Sequence, residues 1–367
     1  MALSETVLLD ALRAISEPSI GRSLVDLARV EVHAEGDHAR VTVALATPPG
    51  FGTAALERDI EQALAKVAGL SEAQIAFAFR PSVPPASDGQ NLVPSVKNVV
   101  LVASGKGGVG KSTVAVNLAV ALSQAGAKVG LLDADIYGPS VPILLGVRHA
   151  KPKTTDGKSL LPIEAHGLSV ISIGFFVDPQ EAMVWRGPML HGAIVQFFRD
   201  VHWGELDYLV LDLPPGTGDI QLTIAQQVRV AGAVIVTTPQ DLSLADAIKA
   251  KAMFDKVDVP TLGVIENMSY FVCPHCGARS EIFDHGGGKA AAQKLSVPFL
   301  GEVPLVTAIR EGSDEGVPVV AGRPQAPESK ALVEIASKVA AEVARQNEQG
   351  VAMHFAMPAG APVQLKV

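Results

Sequence analysis

Cys273 and Cys276 are the only thiols in the 367-residue chain, and both lie in the stretch CPHCG. A CxxC pair is typical of half a metal site, because a tetrahedral zinc ion or an iron–sulfur cluster usually takes four protein ligands. The source of the other half stays open. Zinc would add His275 or His285, or take the same pair from a second chain. A redox dithiol is disfavoured, since no thioredoxin-like βαβ pattern surrounds the pair.

A second chemical motif is SGKGGVGKST at residues 104–113, which matches the phosphate-loop pattern GxxxxGK(S/T). Glycines let backbone N–H groups curl around phosphate oxygens at a helix N-terminus, and Lys111 neutralises the β- and γ-phosphates. We therefore predict an ATP site, with Mg²⁺ held by the Ser112 hydroxyl. The predicted nucleotide-binding residues of the loop are Gly105, Lys106, Gly107, Gly108, Val109, Gly110, Lys111, Ser112 and Thr113.

Three aspartates at predicted strand ends support this site. Asp212 ends YLVLD and is placed like a Walker B carboxylate, which anchors Mg²⁺ or its water. Asp133 and Asp135 end the strand after the phosphate-loop helix, at the edge where open α/β sheets bind ligands. One aspartate at a strand end often only caps a turn, but three at one edge favour an Mg²⁺–nucleotide site. Gly216, in LPPGTGD, offers a backbone that could sense a γ-phosphate.

The elements that must position these residues form an α/β pattern. Continuous apolar runs separated by helical segments predict an open, mostly parallel sheet flanked by helices, the fold class of a P-loop NTPase. A small α/β domain precedes it. The predicted strands of the larger domain are NVVLVAS, KVGLLDAD, YLVLDLP, GAVIVTTP, TLGVIEN and FLGEVPL.

Four segments are predicted along the chain. Residues 1–80 have helical stretches around alternating apolar residues, which indicates the small α/β domain. Residues 81–96 are rich in Pro and Ser and are predicted to be a flexible linker. Residues 97–346 form the ATPase domain and end in a helix, and residues 347–367 are predicted to be a disordered tail.

Composition excludes several classes of protein. The formal net charge of −8 gives no global positive field for nucleic acid. The first residues, MALSETVLLDALRAI, lack the basic n-region of a signal peptide, and no stretch of 18 uncharged apolar residues predicts a membrane span. Two cysteines do not make a disulfide framework. We expect a cytoplasmic protein, where a CxxC pair stays reduced, with no nucleic-acid or membrane partner.

Lys106, the extra lysine in GKGGVGKST, makes this a deviant Walker A loop, so the chain resembles the ATPases that include MinD, ParA and the nitrogenase iron protein. Within that class it resembles the Mrp/ApbC family of iron–sulfur cluster carriers. The motifs that carry this resemblance lie within residues 97–340 and are GKGGVGKSTVAVNLA, LLDADIYGPS, WRGPM, LVLDLPPGTGD, GVIENMS and CPHCG. Residues 1–80 are similar to a domain of iron–sulfur assembly factors, although ATPPGFG has Phe51 where some relatives carry a cysteine.

The resemblance implies roles for individual residues. Lys106 would reach across a dimer interface to the partner's nucleotide and act in catalysis together with Lys111. Asp135 would position the attacking water, and Asp133 would support the Mg²⁺ site. Asn267 would hydrogen-bond the adenine edge.

A lysine that acts on the partner chain requires a homodimer. If two phosphate loops pair around a two-fold axis, the strand ends beside them approach the same axis. Cys273 and Cys276 follow the strand that ends at Asn267, so two chains supply four thiolates, the number that a 4Fe–4S cluster requires. We expect slow ATP hydrolysis and transfer of the cluster to apo iron–sulfur proteins, with cluster assembly machinery as a further partner.

Other functions remain open at this stage. A MinD/ParA-like positioning ATPase would need a basic amphipathic C-terminal helix or a basic surface, and a nickel or zinc insertion chaperone would need a His-rich stretch. A zinc-binding ATPase or a pure scaffold is also compatible with the motifs. HGGGKAAAQKL at residues 285–295 is predicted to be a turn before a helix, and Trp185 and Arg186 are assigned to core packing.

Overall fold

The computed structural model describes residues 3–85, 91–154, 159–176, 187–216, 218–273 and 275–356. Within these residues no helix is both long and apolar enough to cross a lipid bilayer. The chain forms a three-stranded sheet in its first eighty residues and a nine-stranded sheet after them. Trp185 and Arg186 lie outside the described residues.

The N-terminal domain packs two helices against a small sheet. Its elements are α1 (Glu5–Leu12), β1 (Val30–Glu35), β2 (His38–Leu45), a 3-10 turn (Pro49–Phe51), α2 (Ala54–Leu64) and β3 (Glu72–Phe79). The β1–β2 hairpin is antiparallel and β3 lies parallel to β2. Alternating residues of β2 pack with Leu8 and Ile60 of the helices to form the core. The strand β3 was not predicted.

The larger domain alternates strands and helices. Its strands are β4 (Val96–Ala103), β5 (Val129–Asp133), β6 (Ile163–Ala165), β7 (Leu168–Ser172), β8 (Leu206–Asp212), β9 (Val230–Thr237), β10 (Thr261–Val272), β11 (Arg279–Ser280) and β12 (Phe299–Leu305). Its helices are α3 (Lys111–Gln124), α4 (Val141–Leu144), α5 (Gly187–Asp200), α6 (Asp219–Gln227), α7 (Asp241–Lys256), α8 (Gly287–Leu295), α9 (Thr307–Glu315), α10 (Val319–Gly322) and α11 (Pro327–Ala356).

The order of the strands explains why the acidic motifs meet. The sheet runs β11-β10-β9-β4-β8-β5-β7-β6, with β12 paired to the free side of β10. All pairs are parallel except β10–β11 and β6–β7. Two apolar clusters of buried residues cover its faces, as expected for strands buried on both sides. The six predicted strands and the P-loop NTPase fold class are confirmed.

The predicted tail needs a correction. The last helix, α11, does not stop at residue 346 but continues to Ala356, and the rest of the tail, 357–367, lies outside the described residues. The physical reason is packing. Asn347 is 3% exposed and donates hydrogen bonds to the Ser82 carbonyl at 2.9 Å and to the Asn98 side chain at 2.8 Å. The first residue beyond the predicted end of the helix is therefore fixed by tertiary contacts, which composition does not predict.

The predicted flexible linker is fixed at both of its described ends. Ser82 is 8% exposed and shares a polar cluster with Arg29 of the N-terminal domain and Glu348 of α11. The Arg29 guanidinium is 3.3 Å from the Glu348 carboxylate, so α11 connects the two domains directly. At the other end the Leu92 N–H donates to the carbonyl of Gln227 at 2.9 Å. Proline and serine content predicted flexibility, and these hydrogen bonds hold the described residues at each end of the segment.

Candidate functional site

The phosphate loop connects β4 to the N-terminus of α3 and surrounds a cavity of about 240 Å³. Gly108 and Gly110 have φ values of +80° and +77°, a left-handed region that glycine enters without a steric cost. The loop therefore turns sharply enough to aim its N–H groups at one point. The residues lining the cavity are Ser104, Lys106 to Thr113, Asp135, Ser140, Leu144 and Pro215.

The charge at the centre of this site is Lys111. Its side chain is 6% exposed, and its Nζ atom donates to Oδ1 of Asp212 at 2.5 Å. A carboxylate oxygen of Asp135 lies 3.9 Å from the same nitrogen. Lys111 is thus held by two carboxylates, with which the oxygens of a bound phosphate would compete.

Asp133 and Asp212 are neighbours because they are paired across β5 and β8. Burial raises the pKa of Asp133 to about 8, and the adjacent Asp212 carboxylate adds to the rise. Burial also raises the pKa of Asp212 and of Asp135, and the Lys111 ammonium opposes both shifts. Three carboxylates therefore share one buried cation, which makes this edge of the sheet a favourable place for a further positive charge.

The residues present fit a magnesium ion. Asp212 is fully buried, and within the described residues its Oδ2 atom has no hydrogen-bond partner. A buried carboxylate oxygen without a partner is unusual and is the hard ligand that Mg²⁺ prefers. The hydroxyl of Ser112 lies beside Asp212 and accepts a hydrogen bond from Nζ of Lys111 at 3.3 Å. Asp133, in contrast, already accepts hydrogen bonds from the N–H groups of Asp135 and Val141, so its predicted contact with Mg²⁺ stays a prediction.

Two more loop contacts involve residues predicted to act in catalysis or switching. The Nζ atom of Lys106 donates to Oε1 of Gln240 at 3.2 Å, within its own chain. The N–H of Gly216 donates to the carbonyl of Ser104 at 3.0 Å, so it is already engaged beside the phosphate loop. The reach of Lys106 to a partner's nucleotide stays a prediction. Gln240 was not singled out from the sequence, because it lies 134 residues away from Lys106.

Asn267 contacts the phosphate loop from behind and does not line the cavity. Its Nδ2 atom donates to the carbonyl oxygen of Val109 at 2.8 Å, and the side chain is 7% exposed. The predicted contact with adenine is not tested by this arrangement. The observed hydrogen bond supports the phosphate loop, and nothing in the sequence pattern predicted it.

The two cysteines lie at the tip of a β-hairpin. β10 and β11 pair as Phe271 with Ser280 and Val272 with Arg279. The hairpin loop is closed by hydrogen bonds from the Cys273 N–H to the carbonyl of Ala278 and from the Gly277 N–H to the carbonyl of Cys273, both 2.9 Å. These bonds hold the CxxC segment as a tight turn beyond the edge of the sheet.

Both thiols are accessible, with Cys273 half-buried and Cys276 exposed. Hydrogen bonds from the backbone N–H of Cys276, and then of His275, hold the pKa of Cys273 below its usual value. The lower pKa favours the thiolate, which is the form that binds metal. The turn therefore presents one activated and one exposed thiol.

No described group of three His, Cys, Asp or Glu side chains at ligating distance includes either cysteine. One such group, Glu266, His285 and Glu302, does lie nearby. The guanidinium of Arg279 occupies its rim, 3.4 Å from both the His285 ring and the Glu302 carboxylate. His285 therefore contacts Arg279. Among the described residues, no side chain is placed as a third ligand beside the two thiols.

The glycine run before α8 is explained by Glu266. Helix α8 begins at Gly287, which confirms the predicted turn and helix. The carboxylate of Glu266 is fully buried and accepts the N–H of Gly288 at the start of this helix, as well as the hydroxyl of Ser269 at 2.5 Å. The buried anion occupies the position that a phosphate would need. This glycine run is therefore a helix cap.

The comparisons agree with this geometry. Residues 95–340 match the family described as NUBPL iron-transfer P-loop NTPase, and residues 5–77 match the one described as iron-sulfur cluster assembly protein. The iron-sulfur cluster carrier protein of Deinococcus radiodurans is 48% identical over 92% of this chain and 95% of its own.

Two solved structures resemble the larger domain. A nucleotide-binding protein from Archaeoglobus fulgidus in complex with ADP is 42% identical, with a TM-score of 0.54 over 60% of this chain and 87% of its own. The septum site-determining protein MinD from Pyrococcus horikoshii, complexed with Mg-ADP, is 23% identical, with a TM-score of 0.50 over 65% and 94%. At that identity MinD shares the fold alone.

Proposed function

The chain belongs to the NUBPL iron-transfer P-loop NTPase family, and on that premise we propose that it is an ATP-dependent iron–sulfur cluster carrier. It binds a cluster between two copies of itself and transfers the cluster to apo iron–sulfur proteins in the cytoplasm. The carrying observation is the hairpin that presents both thiols of the chain without a third protein ligand among the described residues.

Ligand number supports a shared cluster. A 4Fe–4S cluster takes four thiolates, and each chain offers two. A two-fold axis through the hairpin tips brings together Cys273 and Cys276 of both copies. The lowered pKa of Cys273 favours the thiolate form of one ligand in each chain. A cluster held at exposed tips remains accessible to a recipient protein.

The nucleotide site supports slow, Mg²⁺-dependent ATP hydrolysis. Ser112 and Asp212, with Asp133 behind them, would hold Mg²⁺, which would supply positive charge at the β- and γ-phosphates. Lys111 leaves Asp212 for the phosphates, and Asp135, which lines the cavity, orients the attacking water. The release of Lys106 from Gln240 lets it reach the partner's nucleotide. Hydrolysis is slow because the set is complete only in the dimer.

The test is anaerobic reconstitution, followed by iron and sulfide counts per chain and molecular mass on the same sample. A shared 4Fe–4S cluster gives about two iron atoms per chain in a dimer, and a shared 2Fe–2S cluster gives about one. Cys273→Ser should abolish the absorbance near 400 nm, whereas Ser280→Ala, on the same hairpin, should keep it. Colourless protein with bound zinc, or a full cluster in a verified monomer, would refute the proposal.

Catalysis is tested separately. Asp135→Ala should abolish phosphate release, measured at saturating ATP and Mg²⁺. Unchanged phosphate release by this variant would show that Asp135 does not have the proposed catalytic role. If the protein retains iron but releases no phosphate under any condition, its function is that of a cluster-binding scaffold.

A further inference from the structure

We infer that Asn267 is the positioning residue through which nucleotide at the phosphate loop changes the geometry of the cysteine hairpin. The inference rests on the proposed function, because it states how the ATP site acts on the cluster site. It is carried by contacts along one strand, β10, which touches the phosphate loop at Asn267 and ends directly before Cys273.

The first step is a single peptide group. Asn267 holds the carbonyl oxygen of Val109 at 2.8 Å, and the N–H of Gly110 belongs to the same planar peptide unit. A phosphate that draws on this N–H therefore turns or polarises the carbonyl that Asn267 holds. Asn267 and Gly110 are closely packed, since a Cβ atom added at Gly110 would lie 2.2 Å from the Asn267 amide nitrogen.

The second step is a bulge that begins at Asn267. On β10 and β12 the pair Asn267–Val303 is followed by Phe271–Leu305, so β10 has two more residues than its partner between these pairs. Met268, the residue after Asn267, has a φ of +55°, which is rare for a side chain with a Cβ atom. Such bulges bend a strand. This one separates the part of β10 that pairs with both β9 and β12 from the part that enters the hairpin.

The third step connects the bulge to the thiols. Tyr270 lies in the bulge, and the guanidinium of Arg279 stacks on its ring at 3.9 Å from the centroid. Arg279 is paired with Val272, the residue before Cys273. A change in the bulge therefore reaches the base of the hairpin through both the strand and this cation–π contact. Asn267 is buried, whereas the hairpin tip is free to respond.

The test uses the apo protein, since Cys273 and Cys276 are the only thiols of the chain. The rate of reaction with a disulfide reagent such as DTNB is measured anaerobically, with and without a non-hydrolysable ATP analogue and Mg²⁺. We expect nucleotide to change the wild-type rate about fivefold, at the lower end of typical coupling between two sites. Each variant is measured at an analogue concentration that saturates it, established by titration, so that altered affinity is not counted as lost coupling.

Asn267→Ala should bring the ratio of the two rates close to one. Tyr270→Leu removes the cation–π contact with Arg279. It should also bring the ratio of the two rates closer to one, with no change in nucleotide affinity. The matched control is Asn347→Ala, which also removes a buried amide, 3% exposed, but at the opposite end of β4. This control should keep the wild-type ratio.

Two results overturn the inference: a wild-type rate that does not respond to nucleotide, or a wild-type ratio that persists in Asn267→Ala. If Asn267→Ala does not fold, by circular dichroism, Tyr270→Leu decides between the same outcomes. Failure of the proposed function is separate, because protein that takes up no iron can still show nucleotide-dependent thiol rates. Conversely, if the protein carries a cluster but its thiol reaction rates do not respond to nucleotide, the proposed function stands and this inference is wrong.

Discussion

The buried ion pair between Lys111 and Asp212 carries a quantitative prediction. The two charged atoms are 2.5 Å apart, and the side chains are 6% and 0% exposed. Asp212→Asn keeps the shape of the side chain and removes its charge. The Lys111 ammonium then stays buried, with Asp135 at 3.9 Å as its remaining ion-pair partner.

The size of the effect follows from these distances. At an effective dielectric constant of about 20, unit charges attract by roughly 7 kcal/mol at the shorter distance and roughly 4 kcal/mol at the longer one. Desolvation offsets much of either attraction, and removing one partner of a buried pair typically costs about 3–5 kcal/mol. Asp135 remains, and burial already disfavours the Asp212 charge by raising its pKa, so we expect Asp212→Asn to lower the free energy of unfolding by no more than about 3 kcal/mol, the lower end of that range.

The assay is urea unfolding of the nucleotide-free protein at pH 7. Tryptophan fluorescence reports on the larger domain, because both tryptophans, Trp185 and Trp203, belong to it. A double-mutant cycle adds Lys111→Met and the variant with both changes. Since the double variant leaves no unpaired ammonium, its loss should be smaller than the sum of the single losses by about 2–3 kcal/mol.

A surface pair of the same chemistry is the control. Lys338 and Glu334 are 2.8 Å apart, and their side chains are 45% and 68% exposed. Lys338→Met should cost about 1 kcal/mol or less. If the losses from the Lys111 and Asp212 changes add to within about 0.5 kcal/mol, the lysine is not held by this carboxylate. The explanation of the apo phosphate loop would then be wrong.

Three further outcomes follow from single contacts. Gly110→Ala should abolish nucleotide binding, measured by calorimetry, because its φ is +77° and the new Cβ would lie 2.2 Å from a buried amide nitrogen. Glu348→Ala should lower the free energy of unfolding by about 1–3 kcal/mol, measured in urea, because it leaves the Arg29 guanidinium, 5% exposed, without its carboxylate. In Cys276→Ser, the alkylation rate of Cys273 should reach half its maximum at a lower pH in the folded protein than in the urea-unfolded chain. The reason is that backbone N–H groups lower the pKa of Cys273, so its thiolate persists at lower pH.

The parts of the site that could be predicted are those written in contiguous sequence. The phosphate loop is a local motif, and its strand and helix follow from apolar runs on either side. Asp133 and Asp212 could be placed together because each ends a buried strand, and the carboxyl ends of parallel strands share one edge. No contact between distant residues had to be known for these predictions.

The rest depends on contacts that local patterns do not encode. Gln240 meets Lys106, and Asn267 meets Val109, across 134 and 158 residues of chain. The bulge of β10 has Met268 at a positive φ, where sequence rules would look for glycine or asparagine. Buried hydrogen bonding holds the start of the α11 extension in place. Composition does not encode this contact, and it therefore predicted a loose tail there.

The proposed half-site on each chain has a physical consequence for control by nucleotide. Two thiolates hold a cluster weakly, and the second pair strengthens binding in proportion to its effective concentration at the first. That concentration depends steeply on how the two hairpins face each other, so a small rotation at each hairpin base changes cluster affinity on both sides at once. A complete four-ligand site in one chain would be insensitive to such a rotation. The placement of the hairpin on β10, braced against the phosphate loop by Asn267, therefore gives a shared cluster a means of release that a self-contained site would lack.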